Sequence, residues 1–173
     1  MKKIMHMGIF LAILASVAAT ALTVVNNITA PIIIEAQNVF LFEQLRAAFP
    51  ESTQQTPLGA PDASDPYTLN VFRATDANGA TLGYIYLQET MGFNGVVRYL
   101  VSVDTNGYVR NFQNVLNSET PEFAAPPQLS AWANNNFLNS PLTPDIDIMA
   151  GSTVTTAPIV RGMGHIYQDF QNR

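Results

Sequence analysis

Four hydroxyls and a carboxylate gather in the stretch Asp145 to Met163, DIDIMAGSTVTTAPIVRGM: Ser152, Thr153, Thr155 and Thr156 follow Gly151, and Asp147 lies just upstream. Two kinds of chemistry suit hydroxyls placed directly before a helix. One is capping, in which Thr155 or Thr156 accepts a bond from a first-turn N–H, with Pro158 early in the helix where its missing donor is harmless. The other is phosphate binding, because a glycine turn feeding a helix N-terminus presents free N–H groups and the positive end of the helix dipole. Capping accounts for one or two hydroxyls and requires neither Gly151 nor Asp147. The stretch is not a P-loop, since the glycine spacing and the lysine are both missing. Nor does it read as a serine hydrolase: Ser152 lacks the Gly-x-Ser-x-Gly frame, and His165 is the sole base candidate outside the apolar N-terminal run.

The rest of the chain is poor in reactive residues. Its 173 residues contain no cysteine, which excludes disulfides, thiolate zinc, cysteine-ligated iron–sulfur clusters and a thiol nucleophile. The two histidines, His6 and His165, have no partner histidine within reach along the sequence, so no metal site is expected. Lys2 and Lys3 are the only lysines. Beyond residue 25, six arginines stand against all 13 acidic residues, a net charge of −7. A portion this acidic lacks the electrostatic footprint of a nucleic-acid binder and is repelled by anionic lipid surfaces.

The elements that must position the hydroxyls begin at the N-terminus. Met7 to Val25, MGIFLAILASVAATALTVV, is 19 residues without a charge, close to the roughly 20 that cross a hydrocarbon core as a helix. A signal peptide competes, with Lys2 and Lys3 as its basic region and Ala19-Thr20-Ala21 as a small-residue cleavage site. The apolar run continues past that site and resumes as PIIIEA after Pro31, so the expectation is an uncleaved anchor. Both lysines precede the span and the first charges after it are Glu35 and Glu43. The positive-inside rule then puts the N-terminus in the cytoplasm and the bulk of the chain outside. A type IV pilin also begins with a basic leader and a long apolar helix, but its diagnostic glutamate, five residues after the processing glycine, corresponds to Ile13 counted from Gly8.

After the span, Ile34, Val39, Leu41, Leu45 and Phe49 recur at roughly helical spacing, with Pro31 near a first turn. The stretch PESTQQTPLGAPDASDP, from Pro50 to Pro66, is rich in proline and reads as a linker. Four β-rich runs follow: YTLNVFRA, TLGYIYLQE, GVVRYLVSVD and YVRNFQNVL. The separators TDANGA, TMGFNG and DTNG supply Asn-Gly pairs suited to tight hairpins, so four antiparallel strands are expected. In the third run Tyr99, Val101 and Val103 alternate with Leu100, Ser102 and Asp104, as for a strand with one wetter face. Leu129, Trp132, Ala133 and Phe137 predict a short amphipathic helix, with Trp132 as a packing anchor. Ile159, Met163, Ile166 and Phe170 predict a final helix.

With this order laid out, DIMAGSTVTT resembles the flavinylation motif of FMN-binding domains, Asp-x-x-Ser/Thr-Gly-Ala-Thr-x-Thr. Asp147 matches the leading aspartate, Gly151 the glycine, Thr153 the acceptor threonine and Thr155 the following threonine. Ala150 stands where Ser/Thr is usual and Ser152 where Ala is usual. The upstream segments GFNG (Gly92 to Gly95), DTNG (Asp104 to Gly107) and ETPEFA (Glu119 to Ala124) are similar in kind and order to those of the G subunit of Rnf complexes and the related C subunit of sodium-translocating NADH:quinone oxidoreductase. Glu122, Phe123 and Ala124 replace the Gly-Leu-Gly of that pattern, and the chain's length lies nearer the Rnf type.

The resemblance implies an α+β protein: an N-terminal transmembrane helix (1–30), a membrane-proximal helix and Pro-rich linker (31–66), and an antiparallel-sheet FMN-binding domain with flanking helices (67–173). It implies FMN held covalently through Thr153, attached by a flavin transferase that uses FAD as donor and reads Asp147 as part of its motif. Ala150, Gly151, Ser152, Val154 and Thr155 would surround the attachment. Glu119 and Thr120 would border the isoalloxazine with hydrogen bonds, and Met149, Val154 and Ile159 would give apolar cover. The implied function is electron transfer in an ion-translocating membrane complex, with flavin- and iron–sulfur-carrying subunits as partners. The competing expectation is an anchored extracytoplasmic binding or structural module without flavin.

Overall fold

A computed structural model describes residues 2–61, 64–121 and 123–173; within the first helix the side chains at 2–4 and 31–39 fall outside the description. The elements are α1 (Lys2–Ala48), β1 (Gln54–Gly59), β2 (Thr68–Thr75), β3 (Thr81–Met91), β4 (Val96–Asp104), β5 (Val109–Asn117), α2 (Pro126–Asn136) and α3 (Thr153–Gln171). The fold is α+β, as expected: an N-terminal apolar helix, then an antiparallel meander in the order β1-β2-β3-β4-β5 with helices packed on it. The chain forms two compact units, Met1–Phe40 and Leu41–Arg173.

In the first unit, Met5–Ala30 is long and apolar enough to cross a membrane. Its large apolar side chains are exposed on every side, the pattern of a helix whose solvent is lipid rather than one buried on a single stripe. The hydroxyls of Ser16, Thr20 and Thr23 donate to the carbonyls four residues back, each at 2.8 Å, which pairs these three protons within the helix itself. The helix runs on through position 31 as a single element, where a fresh start at Pro31 was expected. Ile34 and Val39 lie outside the described side chains.

In the second unit both faces of the sheet are covered. On one face, Val71, Tyr86, Tyr99, Val101 and Val103 pack against Leu129 and Trp132 of α2 and Ile159, Met163 and Ile166 of α3. On the other, Leu45, Ala48 and Phe49 cover Phe72, Ile85, Leu87 and Leu100. Two expectations are corrected here. Leu100 and Ser102 are not on a wetter face: both are buried, because the end of α1 lies over that side. The Pro-rich stretch is not all linker, since Gln54–Gly59 forms a fifth strand, β1, paired to β2. It is an edge strand with a mostly exposed burial pattern. There Pro57 and a polar sequence are tolerated, because one side of the backbone needs no ladder partner.

A buried polar contact joins α3 to the sheet. Gln88 Nε2 donates to Thr68 Oγ1 at 2.9 Å and to the Gly162 carbonyl at 3.0 Å, and Tyr99 OH donates to Gln88 Oε1 at 2.8 Å. Burial pushes the Tyr99 phenol far above its ordinary range, so it stays a neutral donor. A Cβ at position 162 would lie 2.5 Å from Gln88 Oε1 and 2.7 Å from Tyr99 OH. Gly162→Ala is therefore expected to cost about 1–3 kcal/mol, the usual range for overpacking. Denaturant unfolding of the detergent-solubilised chain, followed by the fluorescence of its single tryptophan, Trp132, measures this.

Candidate functional site

Three segments far apart in sequence meet at one cavity of about 370 Å³. Phe93 comes from the β3–β4 hairpin tip, Glu119, Thr120 and Phe123 from the loop after β5, and Gly151 to Thr155 from the turn and first residues of α3. The volume falls in the range of small-molecule sites. Of the residues singled out in the sequence, Glu119, Thr120, Gly151, Ser152, Thr153, Val154 and Thr155 line it; Ala150 and Asp147 do not.

Local chemistry explains the turn. Ser152 N–H donates to the Met149 carbonyl at 3.1 Å, closing a four-residue turn with Gly151 third at φ 81°. That is the position at which a type II turn demands positive φ. The turn is tied to the core from behind: Trp132 Nε1 donates to the Asp147 carbonyl at 2.9 Å, and Ile146 is buried beside α2. The Asp147 side chain itself is exposed, as is Ala150.

The helix starts at Thr153 rather than near Pro158. The threonines expected before the helix are thus inside its first turn, and neither caps it. Ser152 holds the cap position without a side-chain cap bond. Its carbonyl accepts from the amides of Thr155 at 3.1 Å and Thr156 at 3.0 Å. These are the first amides bonded within the turn, so those of Thr153 and Val154 point onward from a 19-residue helix toward any anion placed there. Pro158 sits inside the helix and offers no N–H to the Val154 carbonyl.

The four hydroxyls now have separate roles. Thr156 Oγ1 donates to the Ser152 carbonyl at 3.0 Å and accepts from Met149 N–H at 3.2 Å. Thr155 Oγ1 donates to Glu119 Oε1 at 3.0 Å and accepts from Phe93 N–H at 3.2 Å. Ser152 is buried, and Thr153 alone of the four is exposed.

The apolar walls differ from those expected. Ile159 is fully buried in the core and Met149 packs against it, so neither lines the cavity. Val154 does, together with Phe93 and Phe123. Phe93 is 75% exposed and Phe123 50%, which makes them available to a flat ligand. Neither aromatic stands out in the sequence as a site residue; their only signal is position, inside GFNG and ETPEFA. Asn117 shapes the second of these loops: its Oδ1 accepts from Glu119 N–H at 2.9 Å and its Nδ2 donates to the Ala124 carbonyl at 3.0 Å. Glu122 lies outside the described residues. His165 is not at the cavity; its ring packs against Tyr67, with centroids 5.4 Å apart.

No family model matches the chain. Among known proteins, it is 25% identical over 196 aligned residues to the G subunit of the Na(+)-translocating ferredoxin:NAD(+) oxidoreductase complex of Acetobacterium woodii, an alignment covering 99% of this chain and 93% of that protein. The likeness runs the whole length. It therefore takes in the apolar helix, the sheet and the three segments of the cavity together.

Proposed function

We propose that this chain is a membrane-anchored electron-transfer subunit of an Rnf-type complex, carrying FMN as a phosphoester on Thr153. The observation that carries the reading is the state of the hydroxyls: Thr153 is exposed at the cavity rim at the first position of α3, while Thr155 and Thr156 are buried and spend their protons on Glu119 and the Ser152 carbonyl. The full-length likeness to one component of a ferredoxin:NAD(+) oxidoreductase complex supports the assignment to electron transport.

The residues present fit such a group. The amides of Thr153 and Val154 and the helix dipole suit a phosphodiester. Phe93, Phe123 and Val154 give apolar surface for a ring, and Thr120 brings a polar side chain to the wall. Attachment joins Thr153 Oγ1 to the FMN phosphorus. With FAD as donor, the pyrophosphate bond breaks, AMP leaves, and the Thr153 hydroxyl proton is released. A flavin transferase performs this step, with Asp147, exposed upstream of the turn, as part of what it reads. Bound flavin supplies the redox chemistry, and the protein supplies position and electrostatics. No acid–base pair is needed for electron transfer. A tether holds the cofactor at a local concentration on the order of millimolar, which matters for a domain placed outside the cell membrane by the positive-inside rule. Its partners are the other membrane subunits of the complex.

Mass spectrometry of the membrane-extracted protein, coexpressed with a flavin transferase, tests this. The expected result is an adduct of FMN minus water on the peptide containing Thr153 and a fluorescent yellow band after denaturing electrophoresis. An unmodified peptide and no band would instead support an anchored module without flavin.

A further inference from the structure

Glu119 has a different environment from that of a group reaching out to a ligand. It is only 8% exposed, and its Oε1 accepts from Thr155 Oγ1 at 3.0 Å and from Asn94 N–H at 3.3 Å. Thr155 Oγ1 in turn accepts from Phe93 N–H at 3.2 Å. Two successive amides of the hairpin tip are thus held by one hydroxyl–carboxylate pair drawn from two other segments. The carboxylate can come this close because position 92 is glycine: a Cβ there would collide with Glu119 Oε1. The aromatic ring of Phe93, by contrast, is mostly in solvent, so apolar packing does little to hold it.

We propose that Thr155 and Glu119 are positioning residues, which pin the hairpin tip against α3 so that Phe93 stands as a wall of the cavity beside Thr153. The pair joins all three segments that build the site. Thr155 belongs to the same turn as the attachment residue, and Glu119 adjoins Thr120, which also lines the cavity. The relay needs a hydroxyl at 155, because that side chain must donate in one direction and accept in the other. Position 119 needs only an acceptor oxygen, which glutamine also provides. The role as a wall for the flavin ring rests on the reading of the cavity given above.

The test uses the full-length chain in detergent micelles, with and without coexpressed transferase. In unlabelled Thr155→Val, hydrogen exchange at the amides of Phe93 and Asn94 should rise about tenfold or more, with the sheet still protected. Thr155→Ser should restore protection, and Glu119→Gln should retain it where Glu119→Ala loses it. In the Thr155→Val molecules that carry the label, flavin absorption and fluorescence should move toward those of FMN in water, and Thr155→Ser should reverse this. Unchanged exchange at the hairpin tip in Thr155→Val overturns the proposal, as does a flavin spectrum that ignores a loosened tip. If even the wild type carries no label, the flavin reading fails alone, and the exchange data still decide the clasp.

Discussion

Thr153→Val is expected to abolish covalent flavin completely while leaving the fold in place. Valine keeps the β-branched shape and removes only the oxygen that would join the phosphorus. Thr153 is exposed at the first position of α3, so the change should alter stability by no more than about 0.5 kcal/mol. The label should fall from near one per chain to none, read by intact mass and in-gel fluorescence, with Trp132 emission showing the domain still folded. The other hydroxyls are poor substitutes. Thr155 and Thr156 are buried with their protons donated at 3.0 Å to Glu119 and to the Ser152 carbonyl. Freeing either breaks a buried bond before any new one forms, at a cost of about 1–3 kcal/mol. Ser152 is buried at the cap position. Label surviving on Ser152 or Thr155 in this variant would show that the attachment residue has been misassigned.

The parts of the site that could be read from the sequence are those encoded locally. Gly151 followed by hydroxyls marks a turn feeding a helix, and a turn feeding α3 is what forms. The Asn-Gly pairs mark hairpins, and the four runs they separate became β2 to β5. What the sequence did not reveal depends on contacts between segments. Thr155 looks like a cap in isolation because the groups that engage its hydroxyl, the Glu119 carboxylate that accepts from it and the Phe93 N–H that donates to it, lie 36 and 62 residues away. Ile159 looks like cover for a ligand until the helix is rotated by its other apolar residues, Met163 and Ile166, which face it into the core. Phe93 and Phe123 read as ordinary loop aromatics, since nothing local says that their loops converge. Trp132 was legible as an anchor, but not that its N–H would hold the backbone of Asp147, 15 residues on.

Phe49→Ala is expected to destabilise the second unit by about 3–5 kcal/mol, the range for removing a buried phenylalanine. Phe49 is 2% exposed and shares a cluster with Leu45, Ala48, Phe72, Ile85, Leu87 and Leu100. Its ring also lies against Gly83, where a Cβ would meet Phe49 Cζ at 2.5 Å, so Gly83 has no side chain with which to fill the space it leaves. Urea unfolding of the detergent-solubilised chain, followed by Trp132 fluorescence, measures the loss. A cost below about 1 kcal/mol, the level of a surface change, would mean that this helix end does not stabilise the sheet. The same packing bears on the boundary expected at Tyr67. A chain begun there lacks both the Leu45–Phe49 cover and strand β1, leaving Ile85, Leu87 and Leu100 facing water and β2 as an unpaired edge. Such a chain should aggregate or fail to fold, because an apolar sheet face with a free edge is a template for association. A chain begun at Leu41 retains both elements and should give the cooperative transition that the shorter one lacks. The comparison separates a linker from a structural layer: if the chain begun at Tyr67 folds equally well, the residues between 41 and 59 only connect the anchor to the domain.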